Sequence, residues 1–210
     1  MVVEIPTGLP PEIVPISWLL GKWEGAGVIT HHGKTEGEFT EEPFIQEVEF
    51  KHGELPYLEY ISHTWLVNDE GEKSTPLNVE SGIWQLDREF NDEDAGPGMF
   101  PGAEGYTYAD AEQVEKLRNK DGGFDLLVSI VHPGGINELY LGDVKNARIR
   151  LRTDAVTRAQ SAKTYAAATR MYGWVNGELL WAWDIAANGK SLESHASAQL
   201  KKAYTPEKDA

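Results

Sequence analysis

Six histidines and no cysteine bound the chemistry open to this 210-residue chain. A neutral imidazole can ligate a metal or move a proton. Without a thiol, disulfides, thiolate metal sites and a cysteine nucleophile are excluded, so any iron must be held by nitrogen or oxygen. The histidines are His31, His32, His52, His63, His132 and His195. No two stand at the His-x-x-x-His or His-Glu-x-x-His spacing of a helical zinc site. The Gly-x-Ser-x-Gly elbow of a serine hydrolase is also missing, and 34 acidic residues are too many for any two to be nominated as a glycosidase pair.

His195 lies in the run Ser194-His195-Ala196-Ser197-Ala198-Gln199-Leu200. Strand alternation sets it with Ser197 and Gln199 and puts Ala196, Ala198 and Leu200 on the other, more apolar face. If Leu200 points to the core, His195 points away unless a bulge turns it inward or a ligand fills a cleft at the strand's end. A surface histidine and a metal ligand both stay open on this pattern. His31 and His32 are adjacent, so in a strand they face opposite sides, and at a loop either could reach a metal's open side or stay solvated. His63 beside Thr64-Trp65 suits a buried position, His132 before Pro133-Gly134 a turn, and His52 beside Gly53 the surface.

Near the other end, Gly21-Lys22-Trp23-Glu24-Gly25-Ala26-Gly27 puts glycines at alternate positions, hence on one face of a strand. The bare stripe permits a sharp bend or the close approach of another group, and Trp23 on the same face can close a barrel's bottom. A barrel-closing device and a ligand wall are both readings of this run.

The elements that must position these residues are strands. Short runs at 22–30, 44–50, 57–67, 82–88, 124–131, 136–141, 147–153, 165–175, 178–186 and 192–203 fit an antiparallel meander closed on itself. Val175-Asn176-Gly177-Glu178 is a strong hairpin signal, and Lys120-Asp121-Gly122-Gly123 and His132-Pro133-Gly134-Gly135 mark further reversals. Residues 1–12 read as a Pro-punctuated arm, 13–20 as one short helix that could plug a barrel end, and 206–210 as a tail. One domain is expected over 13–205, interrupted at 91–120 by an insertion with a short helix at 109–118. Such an insertion is either a functional lid or a disordered loop.

A net charge of -15 disfavours nucleic acid and anionic membrane surfaces as partners. Arg148, Arg150 and Arg152 alternate with Ile149 and Leu151, the pattern of a strand with one wet face rather than of an anion site. No apolar run is long enough to cross a bilayer, and the first residues lack the pattern of a signal peptide, so a soluble cytoplasmic protein is expected. Seven tryptophans should line a core or a cavity.

The two end segments together resemble the nitrobindin family. Similar segments between them are Leu58-Glu59-Tyr60 with Thr64-Trp65, Glu80-Ser81-Gly82, His132 through Glu138, Ala162-Lys163, Arg170-Met171-Tyr172 and Gly177-Glu178-Leu179, in the family's order over residues 17–203. The resemblance implies an all-β, about ten-stranded antiparallel up-and-down β-barrel of the calycin kind. It implies ferric haem b, one per chain, with His195 as both the metal ligand and the catalytic residue. The open side of the iron would bind nitric oxide or isomerise peroxynitrite to nitrate. Gly21, Trp23, Gly25, Gly27, Thr30, His31 and His32 are the positions it implies at the cofactor, and a homodimer is left open. A ligating histidine should also have its second ring nitrogen held by a backbone carbonyl or carboxylate.

In one place the chain departs from the family. Where haem-binding members have a Tyr-Pro-Thr-Ile-like stretch after the third glycine, it reads Val28-Ile29-Thr30-His31-His32-Gly33-Lys34-Thr35-Glu36-Gly37. That change makes 30–37 an expected mobile hairpin tip at the rim. Together with the 91–120 insertion it also suits an alternative, a haem-free barrel that carries another small apolar ligand.

Overall fold

The computed structural model describes residues 8–33 and 38–203. Ten antiparallel strands make a closed up-and-down barrel: β1 Gly21–His32, β2 Phe39–Lys51, β3 Leu58–Val67, β4 Lys73–Leu86, β5 Phe124–His132, β6 Ile136–Lys145, β7 Arg148–Arg158, β8 Tyr165–Val175, β9 Glu178–Ala187 and β10 Glu193–Lys202. Each strand pairs with the next, and β10 closes on β1, which leaves no exposed edge. Alternation does what the sequence predicts: Leu126, Val128 and Ile130 of β5 are fully buried while Asp125 and Ser129 between and beside them are exposed. The Asn176-Gly177 turn has both residues at positive φ, 54° and 87°.

One end of the barrel is shut. The expected plug is a 3₁₀ helix at Pro11–Leu19, with Pro15 inside it and Ile13, Ile16 and Leu19 wholly buried. Trp23 stacks above this helix, 1% exposed, and donates through Nε1 to the Leu19 carbonyl at 2.7 Å. Glu12 belongs to the helix rather than to an arm; the rest of the expected arm before residue 8, and the 206–210 tail, lie outside the described residues.

The glycine stripe faces inward and lets β10 close on β1. A Cβ at Gly25 would stand 2.2 Å from the Gln199 carbonyl oxygen, and one at Gly27 2.3 Å from the Phe44 ring and 2.4 Å from the Ser197 carbonyl oxygen. Any side chain there would push the closing strands apart.

β4 begins at Lys73, well before its expected start at 82. Its first residues are exposed and mostly polar and include Pro76, which sits where the β3–β4 register shifts. A polar, Pro-containing run gives no strand signal although its backbone is paired. The insertion between β4 and β5 holds the short helix α1, Ala111–Glu115, capped by the Asp110 side chain on the Gln113 amide. It packs at the closed end: Arg88 joins Glu12 of the 3₁₀ helix to Asp94, and the Tyr106 hydroxyl donates to the Glu54 carbonyl in the β2–β3 connection.

Candidate functional site

The barrel interior above Trp23 is not filled. A cavity of about 310 Å³ is walled by apolar side chains, Ile29, Phe44, Val48, Leu179 and Trp181 among them, and Glu80, Arg170 and Tyr172 give it a polar side. That volume is at the lower end of the range for small-molecule sites. No residue of the 91–120 insertion lines it.

His195 reaches the cavity because β10 is bulged. Ser194 pairs with Asp184 and Ala196 with Trp183, leaving His195 as the extra residue opposite β9. Past this point the ordinary alternation resumes, with Ala196, Ala198 and Leu200 buried. The bulge therefore puts His195 on the same side as Ala196, and both line the cavity. Beside it lies a rim hollow of about 230 Å³, also lined by His31 and His195.

The His195 ring meets Trp183 edge to face, with centroids 5.1 Å apart. Among the described residues its ring nitrogens make no hydrogen bond, so the carbonyl or carboxylate expected behind a ligating histidine is not there. Burial, followed by the charges of His31, Arg170 and His32, holds its pKa below the ordinary histidine value. The imidazole is thus neutral near pH 7, the form that has a lone pair to give.

The polar side of the cavity is a closed hydrogen-bond network. Arg170 binds Glu80 through two contacts of 2.9 Å and donates from Nε to the Tyr140 hydroxyl at 3.0 Å. Tyr60 donates to Glu80 at 2.9 Å. Glu138 accepts from Tyr140 at 2.7 Å, from Tyr165 and from His132, whose Nε2 is 2.6 Å away and whose Nδ1 faces Glu80 at 3.4 Å. Burial alone would push the Glu80 carboxyl up, but the charge and hydrogen bonds of Arg170, with His132 and Tyr60, bring it down to about 2. The Arg170 guanidinium also lies 4.1 Å from the Trp183 ring centroid, and His132 stacks on that ring at 5.7 Å. The network so reaches the indole that touches His195.

Of the residues singled out in the sequence, His195 and His31 line the cavity. Gly21, Trp23, Gly25, Gly27, Thr30 and His32 do not. Thr30, His31 and His32 belong to β1 and pair with β2 rather than forming a loop; the rest of the expected mobile tip, 34–37, lies outside the described residues. His31 is tied to Glu42 at 2.9 Å and His32 to the Ser194 carbonyl at 2.5 Å. His63 stacks on Trp65, and the Nδ1 of His52 accepts from the Glu54 amide. Glu80 and Arg170 stand in two of the segments that carry the family resemblance, which is the only sequence signal pointing to them.

Comparison with known proteins agrees with the barrel fold. Residues 12–202 match the family model of the THAP4-like, heme-binding beta-barrel domain. The chain is 53% identical over 207 residues to a peroxynitrite isomerase of Renibacterium salmoninarum, covering 99% of this chain and 96% of that protein. It is 52% identical to a peroxynitrite isomerase of Paenarthrobacter aurescens, covering 96% and 99% respectively. The crystal structure of Rv2717c from M. tuberculosis superposes with a TM-score of 0.66 at 25% identity, over 93% of this chain and 99% of that one.

Proposed function

Because this chain belongs to the THAP4-like, haem-binding β-barrel family, we propose that it binds one ferric haem b through His195 and isomerises peroxynitrite to nitrate, with nitric oxide as a second ligand of the same open position. One observation carries the reading. The bulge in β10 directs an imidazole that makes no hydrogen bond among the described residues, and whose pKa burial lowers, into a largely apolar cavity. That donor suits iron, because its ring nitrogen has a lone pair that the metal would take. Bound haem would supply a ferric centre able to take an anionic oxygen ligand and lower the barrier to its rearrangement.

The protein's own residues do the rest. His195 would hold the iron, and Trp183 packs against its ring and limits its rotation. Ile29, Phe44, Leu179 and Trp181 would give the macrocycle apolar contacts and keep water from them. His31 stands at the boundary between cavity and rim. The glycine run and Trp23 act through the fold, by closing the barrel beneath. The alternative, a haem-free carrier of another small apolar ligand, is less favoured, because such a ligand would leave the His195 imidazole in the cavity without a partner.

Titration of the haem-free protein with ferric haem, followed by absorption spectroscopy, tests this. The wild type is expected to saturate at one haem per chain with a histidine-ligated Soret band and to isomerise peroxynitrite when loaded. His195→Ala should lose both while keeping the barrel's circular dichroism, since a half-buried side chain at a bulge contributes little packing. Equal affinity and identical spectra for the two proteins would overturn the assignment.

A further inference from the structure

The ladder between β1 and β10 runs from Trp23↔Lys202 to Ile29↔Ala196 and ends there. β1 continues to His32 and β10 begins at Glu193, so the two strands lie side by side at the rim without backbone pairing between them. On the other side of β10 the register with β9 shifts between Ser194 and Ala196. His195 and its neighbours are thus released from the ladder on one side and displaced in it on the other. A bulge left in that state would have no ladder bond to fix its backbone, whatever the packing of its ring on Trp183.

A side chain fills the gap. His32, half-buried, places Nε2 2.5 Å from the Ser194 carbonyl oxygen, the group immediately before His195. A carbonyl only accepts, so Nε2 carries the proton and donates. His32 is itself held on its other sides: Nδ1 faces Glu193 at 3.6 Å, and its carbonyl accepts from Lys190 Nζ at 3.1 Å. Lys190 in turn pairs with Glu193 at 3.4 Å. The end of β1, the β9–β10 turn and the start of β10 are so tied around one peptide.

We propose that His32 is a positioning residue for His195: its Nε2–H replaces the missing ladder bond at Ser194 and fixes the bulge that turns the His195 ring into the cavity. The proposal rests on the reading of His195 as the iron ligand for its functional meaning, but its structural content can be measured without haem. It also accounts for a histidine that lies beside the site and does not line the cavity.

The test compares His32→Ala, His32→Phe and His32→Gln with wild type. Phe keeps the ring's bulk without a donor, and Gln keeps an N–H donor without the ring. In the haem-free proteins, the His195 ring resonances in nitrogen-edited NMR should move in the Ala and Phe variants and return in Gln. In ferric haem titrations, affinity should fall about 10- to 100-fold in Ala and Phe, as for other groups that orient a metal ligand, and recover in Gln. Unmoved His195 resonances in both Ala and Phe overturn the proposal whatever haem does. A change that Gln does not reverse also overturns it, because the hydrogen bond would not be the cause. If His195→Ala leaves haem binding untouched, the ligand reading fails separately, and the haem-free NMR still decides the role of His32.

Discussion

Two arginines with buried side chains, Arg88 and Arg170, each hold a carboxylate through paired hydrogen bonds, yet they do different things. Arg88 grips Glu12 at 2.7 and 3.1 Å and Asp94 at 2.7 and 2.6 Å. It joins the end of β4 to the 3₁₀ plug and to the insertion, segments that no sheet ladder connects, and it does not line the barrel cavity. Arg170 holds Glu80, and every partner around it stands on a strand whose position the barrel already determines. Its carboxylates are shared with Tyr60, Tyr140, Tyr165 and His132. The first cluster fastens the closed end. The second keeps charged groups satisfied beside an open cavity, so that the uncommitted imidazole there is His195.

The largest expected effect follows from removing each cation in turn. Arg170→Leu leaves Glu80 and Glu138 buried on strands of the barrel wall, which cannot swing them out to water. Breaking such a pair costs about 3–5 kcal/mol. Arg88→Leu should cost less, about 1.5–3 kcal/mol, because the insertion can swing away and solvate Asp94. Denaturant unfolding of the haem-free variants measures both. Limited proteolysis should then find faster cutting within 88–110 in Arg88→Leu alone, with haem uptake unchanged. Equal losses, or cutting that is unaltered, would mean the two clusters have the same role.

Acid separates them further, with an effect of intermediate size. The Glu80 carboxyl sits at about 2 in the folded protein, against an ordinary value of 4.5. The hydrogen bond from Arg88, opposed by burial and helped by Thr107, likewise holds Asp94 well below the usual carboxylate range. Both folded values are depressed, so the stability they confer is present above the unfolded pKa and is lost as pH falls from there toward the folded one. The wild type should lose stability from about pH 4.5 downward. In Arg170→Leu the sign reverses for Glu80: with its cation gone, burial favours the neutral acid, so that variant should gain stability as pH is lowered from 7 to 5. Arg88→Leu should show no such gain. A melting-temperature series across this range decides the matter.

The same contrast explains what could be read from the chain beforehand. Strand alternation, the Asn176-Gly177 turn and the plug at the start are local patterns, and the barrel follows from them. The Arg170 network is not local. Glu80 is 90 residues from its cation, it lies in a polar run that gives no strand signal, and it is one of 34 acidic residues. His195 falls between these cases. Strict alternation turns it away from the core, and only the one-residue shift against β9 brings it in, a feature set by pairing that the sequence does not display. The family resemblance pointed to the residue, and the bulge supplies the physical reason it can serve.

The smallest expected effect tests whether the tyrosines belong to the charged network or only fill space beside it. Tyr60 is 4% exposed and gives Glu80 a hydrogen bond of 2.9 Å, while Thr107 gives Asp94 one of 2.7 Å. Tyr60→Phe keeps the ring against Phe50 and Trp84 and removes only the donor. Thr107→Val does the same at the closed end. Each hydrogen bond to a carboxylate should be worth about 1–2 kcal/mol in denaturant unfolding. The two losses should differ in their response to acid. Asp94 retains both contacts from Arg88 and the Asn91 amide, so Thr107→Val should leave the acid transition nearly in place. Glu80 is opposed by a larger burial penalty, and its donors besides Arg170 and Tyr60 are long, His132 at 3.4 Å and Asn78 at 3.5 Å, so Tyr60→Phe should move the onset of acid unfolding to higher pH. An unmoved onset in Tyr60→Phe would make Arg170 sufficient for Glu80 by itself and reduce Tyr60 to packing.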